Sequence, residues 1–118
     1  MTIDEAIRDL LDVSTDITSI AVVDAFGTIA GAGPAAAGER AAEAISLLWE
    51  AAGRRAAQAG DAGLEHVVVP VADGVVVAVE AHGHRAVAVT GPRPAVALLL
   101  FDLRTCLGDA FAGGEEEQ

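Results

Sequence analysis

The sequence contains no lysine, no asparagine and no tyrosine, and all seven of its cationic side chains are arginine. Without lysine there is no Schiff-base chemistry and no Walker-type phosphate loop, whose lysine reaches the β and γ phosphates. Cysteine occurs once, as Cys106. A lone cysteine forms no internal disulfide, which agrees with a reducing compartment. No run of residues is both apolar and charge-free over the length a membrane helix needs. The opening Met1-Thr2-Ile3-Asp4-Glu5 is acidic where a secretory signal is basic. The expected location is the cytoplasm, with no membrane insertion.

Positive charge is also scarce. Seven basic residues against 18 acidic ones leave a net charge of −11. Such a surface repels a phosphate backbone and has no basic stripe to offset it, which excludes nucleic acid and anionic lipid as partners. What is abundant is apolar: 53% of the residues are hydrophobic, and the bias to Ala, Gly, Val and Arg suggests a GC-rich bacterial genome. The length of 118 residues suits one domain. A globule of that size buries roughly two thirds of the surface of its unfolded chain, enough for one core.

Ile3, Ala6, Ile7, Leu10 and Leu11 recur at helical spacing among Asp4, Glu5, Arg8, Asp9 and Asp12, predicting an amphipathic helix over residues 2–13. Residues 18–24 are β-branched and apolar. Asp24-Ala25-Phe26-Gly27 reads as a tight turn and Thr28-Ile29-Ala30-Gly31 as a return strand. Gly31 to Gly38 reads as a connection. Glu39 to Gln58 is the longest helical segment, with Gly60 as its stop signal. Ala41, Ile45, Leu48, Trp49, Ala52 and Ala56 share one broad face of it, and Glu50 and Arg54 stand at the favourable i,i+4 spacing.

A strand from Leu64 to Val71, a hairpin turn at Asp73-Gly74 and a near-continuous apolar strand from Val75 to Ala81 follow. His82-Gly83-His84 is the next turn, Arg85 to Thr90 the fifth strand, and Ala95 to Leu107 the closing helix. Residues 1–112 are read as one domain and the polar tail 113–118 as disordered. The order α-β-β-α-β-β-β-α predicts an α/β (α+β) fold: a five-stranded antiparallel sheet with helices on its faces.

This order, with the hairpin Val22-Val23-Asp24-Ala25-Phe26-Gly27-Thr28-Ile29-Ala30, the long alanine-rich helix, the Asp73-Gly74 turn between valine-rich strands and a last helix from Pro94 to Leu107, resembles the roadblock (dynein light-chain roadblock, or MglB-like) domain family. The resemblance spans about residues 2–108 and implies a profilin-like layout. It also implies a function: a non-enzymatic homodimer, formed by extending one sheet across two subunits and packing the long helices together, that binds and modulates a Ras-like small GTPase in bacterial signalling. In that layout Val67, Val68 and Val69 lie on a sheet edge, which invites pairing. Arg40, Glu43, Trp49, Glu50 and Arg54 on the long helix are the expected contributors to the dimer and partner interface. The alternatives are a nucleotide-independent scaffold for a kinase-associated complex and a small-ligand sensor with a polar-lined cavity.

The remaining candidates favour ordinary structural roles. Gly31-x-Gly33-x-x-x-x-Gly38 lacks the dinucleotide-binding spacing, and Pro34 removes a donor. His82 and His84 are two metal-ligand types where three or four are needed. His66 reads as a half-buried strand residue. Cys106, between Leu103 and Leu107, reads as a small buried hydrophobe. The pairs Asp9 and Asp12, and Glu39 and Glu43, fall on solvated helix faces. Arg40, Arg54 and Arg55 are read as surface and helix-dipole charges in preference to a phosphoryl-transfer arginine. Trp49 has two roles open to it, interface anchor and core filler. No catalytic residue, metal or cofactor is expected.

Overall fold

The computed structural model describes residues 1–58 and 65–112, with the side chains of 35–37, 39, 56 and 57 left undescribed. The chain runs α1 (Ile3–Val13), β1 (Ile17–Asp24), β2 (Gly27–Ala32), α2 (Ala35–Gln58), β3 (His66–Val71), β4 (Gly74–Ala81), β5 (His84–Thr90) and α3 (Val96–Leu107), closing with a π-helical turn at Gly108–Ala112. The five strands form one sheet in the order β2-β1-β5-β4-β3, and every neighbouring pair is antiparallel. Fold class and element order are as the sequence pattern predicts. Gly60, Leu64 and the tail 113–118 lie outside the described residues.

Two apolar layers sandwich the sheet. On one face α1 and α3 bury Ala6, Ile7, Leu10, Leu99, Leu103 and Leu107 against Ile20, Val22, Val77, Val79, Ala86 and Ala88. On the other, α2 buries Ala42, Ile45 and Trp49 against Val23, Val76, Ala78 and Val87. Alternate residues of one strand serve opposite layers, so β4 is buried on both sides, which explains its unbroken valine run. Each fully buried Leu or Val contributes about 1.5–3 kcal/mol.

Local chemistry fixes the element ends. Thr2 caps α1: its Oγ1 accepts from the Glu5 amide at 3.2 Å, while the Glu5 carboxylate accepts from the Thr2 amide at 3.5 Å, a reciprocal box. Ser14 ends α1 and donates to Asp102 Oδ2 at 2.7 Å, tying α1 to α3.

The structure corrects three readings. First, α2 begins at Ala35, four residues before Glu39. Gly38 is a helical residue whose lack of a side chain lets α2 approach β1; a Cβ there would sit 2.9 Å from Ser19 Oγ. Second, Ala72 and Asp73 form the β3–β4 loop, and Gly74 opens β4 paired with Val71. Gly74 is required because a Cβ would collide with the Thr90 carbonyl oxygen. The mirror-type turn lies instead at His82-Gly83, where φ is +53° and +74°. Third, Leu48 is 45% exposed, although helical spacing groups it with Ile45 and Trp49, which are buried.

Candidate functional site

β2 and β3 are the two edge strands of the sheet, and among the described residues no further strand pairs with either. β2 holds Gly27 and Gly31. β3 is His66-Val67-Val68-Val69-Pro70-Val71. The amide of Glu80 donates to the Glu65 carbonyl at 3.0 Å across the register that pairs His66 with Val79. In an antiparallel ladder a directly bonded pair alternates with an unbonded one. Residues 65, 67, 69 and 71 therefore bond to β4, while His66, Val68 and Pro70 turn their backbone groups outward.

α3 flanks this edge. Arg104 Nη2 lies 3.3 Å from His66 Nδ1. Further on, Gly108 lies against the His82 imidazole, at the far end of β4. α3 thus runs antiparallel to β3; one turn back from Arg104, Phe101 faces away from the sheet, and Leu98 stands on the flank of α3 that carries Asp102 and meets α1. Phe101 is 64% exposed, Leu98 58% and Val68 38%. Val67 and Val69 point the other way and pack against the α2 layer.

A groove of about 890 Å3 lies between the middle of α2 and the sheet end that carries the β1–β2 and β4–β5 turns. Glu43, Ser46, Leu47 and Glu50 line its α2 side, and Asp24, Phe26, Glu80 and Arg85 line the opposite side. The Arg85 guanidinium lies 4.4 Å from the Trp49 ring centroid, 2.8 Å from Glu80 Oε2 and 3.3 Å from Ser46 Oγ. Asp24 Oδ1 accepts from the amides of Phe26 and Gly27 at 2.8 and 3.2 Å, which holds the β1–β2 turn and projects Phe26. By helical rotation Leu48 falls on the flank of α2 away from this groove.

No protein-family model matches the sequence, and no curated protein matches it. Solved structures match closely in backbone. The Roadblock/LC7 domain from Streptomyces avermitilis gives a TM-score of 0.79 at 16% identity, over 92% of this chain and 94% of that one. MglB of Myxococcus xanthus gives 0.80 at 15% identity, over 97% and 95%. The gliding protein MglB of Thermus thermophilus gives 0.75 at 16% identity, over 98% and 90%.

The chain has the roadblock fold.

Within this roadblock fold the expected interface residues are dispersed. Arg40 and Arg54 are exposed on α2, Glu43 and Glu50 line the groove, and Val67, Val68 and Val69 form the core of the β3 edge. Trp49 is 5% exposed and packs in the α2 layer, so of its two roles the structure shows the core-filling one. His66 is exposed, not half-buried. Phe26, Leu47, Leu98 and Phe101, all prominent at the surface, do not stand out in the sequence. Their signal is a large apolar residue standing in a turn or on the polar side of a helix, which reads as noise until the neighbours are placed.

The other candidates resolve into packing. Gly33 adopts φ +83° and lies so close to β1 that a Cβ would strike the Thr18 carbonyl oxygen; its loop is occupied by this contact. His84 Nδ1 lies 2.8 Å from the His82 carbonyl oxygen and so donates to it. Its ring stacks on Phe111 with centroids 3.6 Å apart. Among the described residues no three metal-ligating side chains gather, and no helix is long and apolar enough to cross a membrane. Cys106 is 2% exposed. Burial, followed by the charges of Asp109 and Asp9, pushes its thiol up to about 11, the opposite of an activated nucleophile.

Proposed function

We propose that the chain is a non-enzymatic, homodimeric regulatory module of the bacterial cytoplasm that binds and modulates a Ras-like small GTPase. The observation that carries this reading is the set of exposed apolar side chains on and beside one edge strand. Val68 and Val71 lie on β3 itself, 38% and 47% exposed, and Phe101, 64% exposed, stands one turn from the Arg104 that meets His66. Singly exposed apolar residues need no explanation, but exposed valines on a strand whose outward backbone groups lack a partner among the described residues support an interface. A second copy joined along β3 would continue the sheet and cover these valines. The GTPase as partner rests on the roadblock resemblance, with the outer surface of α2, including Arg40, Glu43, Glu50 and Arg54, as its docking surface.

Sedimentation at micromolar concentration is expected to give twice the subunit mass of 11.9 kDa. Val68→Lys, which places a charge in the middle of the edge, is expected to return single subunits. A Ras-like GTPase encoded beside this gene is expected to bind one nucleotide state more tightly and to change its hydrolysis rate. Equal affinity for the GTP and GDP forms with no change in hydrolysis would leave the scaffold reading, and no binding in either form rejects the GTPase assignment.

A further inference from the structure

The groove beside α2 is separate from the β3 edge, because none of its lining residues belongs to β3. Its composition is distinctive. Phe26 is 97% exposed at the tip of the β1–β2 turn and Leu47 is 72% exposed across from it, with Ala42 and Val23 between them. The charged side chains around these apolar groups are Asp24, Glu43, Glu50 and Glu80 against Arg85 alone, four acids to one base. Arg85 is already engaged by Glu80 and stacked on Trp49, so among the described residues the other three carboxylates lining the groove have no cation paired with them. An exposed apolar floor under an acidic rim is complementary to a ligand with the reverse charge and the same apolar core.

Spacing narrows the class further. Glu43, Leu47 and Glu50 stand at i, i+4 and i+7 on one stripe of α2, so the two carboxylates lie about 10 Å apart along the helix with the leucine between them. A partner helix laid against this stripe would answer with an apolar residue between two basic ones at the same spacing. The groove is wide and open along its rim and its charges are spread along it, which suits a polypeptide segment better than a small molecule.

We propose that this groove docks a basic, amphipathic segment of a partner protein, with its apolar side chains seated between Phe26 and Leu47 and its Lys or Arg residues on Glu43, Glu50 and Asp24. The proposal rests on the reading of α2 as a docking surface, whose Glu43 and Glu50 it shares, and deepens it by naming the chemistry of the segment bound; it does not require the β3 dimer.

The probe is a labelled 15-residue helical peptide carrying leucines on one face and lysines flanking them. Its control has the same composition with the leucines scattered round the helix. Titration by fluorescence anisotropy at 0.15 M salt is expected to show the ordered peptide binding at least tenfold tighter than the scattered one. Phe26→Ala combined with Leu47→Ala, at two exposed positions, is expected to remove that advantage. Glu43→Gln with Glu50→Gln is expected to weaken binding and flatten its salt dependence. The Val68→Lys subunit is expected to bind as wild type does, which separates this site from the dimer edge. Equal binding of the two peptides, an unchanged affinity in the double alanine variant, or amide-shift changes centred on β3 would each overturn the proposal.

Discussion

Arg85 illustrates how one side chain can be well placed and still contribute little to stability. Its guanidinium stacks on Trp49 and pairs with Glu80, yet Nε is buried with no hydrogen-bond partner among the described residues. An unmatched buried donor costs about 1–3 kcal/mol, which offsets a stacking gain of similar size. Arg85→Met, which keeps the volume and removes the donor, is expected to change unfolding free energy by less than about 1 kcal/mol. Trp49→Ala, by contrast, empties a core position and is expected to cost about 3–5 kcal/mol, read as a lower denaturation midpoint at unchanged slope. Cys106 supplies a pH test. The thiol titrates near 9 in an unfolded chain and near 11 in the folded one. Between those values the unfolded state has lost a proton that the folded state keeps, so stability falls as pH rises, by up to about 3 kcal/mol. With no lysine and no tyrosine in the chain, no other side chain titrates in that window. Cys106→Ala is expected to be less stable at neutral pH but flat from pH 9 to 11.

At the scale of elements, α1 depends on the Thr2–Glu5 box, and Thr2→Ala is expected to cost about 1 kcal/mol in equilibrium unfolding. Gly74→Ala forces β4 away from Thr90 and is expected to cost more, since the obstacle is backbone and cannot rotate aside. The elements themselves were legible because their signals are local. The 3.6-residue period of α1, the β-branched runs and the Asp24 turn each act within a few residues. What escaped prediction depends on distant neighbours. Gly38 reads as a loop glycine until Ser19 of β1 is placed against it. Gly74 reads as a turn glycine until Thr90 is placed beside it. Leu48 and Trp49 are adjacent on a helix that is apolar on several sides, and only the sheet beneath decides which is covered. The π-helical turn that stacks Phe111 on His84 likewise answers to a ring that is 27 residues away in sequence. The β3 edge was legible because the roadblock resemblance supplied the strand order. The groove was not, since its walls come from three separate segments.

For the whole molecule, the net charge of −11 sets opposite salt dependences for the two proposed surfaces. Two such subunits repel each other, and added salt screens that repulsion. Raising salt from 0.05 to 0.5 M is therefore expected to tighten the dimer in sedimentation equilibrium while it weakens the basic peptide in the groove. A shared direction for both would mean that charge does not govern one of them. The β3 edge carries a further consequence through Pro70, whose backbone faces outward but has no N–H to give. A companion strand finds donors at His66 and Val68 and none at the next outward position. Two copies aligned about Val67 or Val68 can use every donor on offer, whereas sliding toward Pro70 forfeits them pair by pair. One absent hydrogen atom thus acts as an end-stop, setting the alignment of any strand that joins and discouraging the sideways creep that turns an exposed ribbon into a fibre.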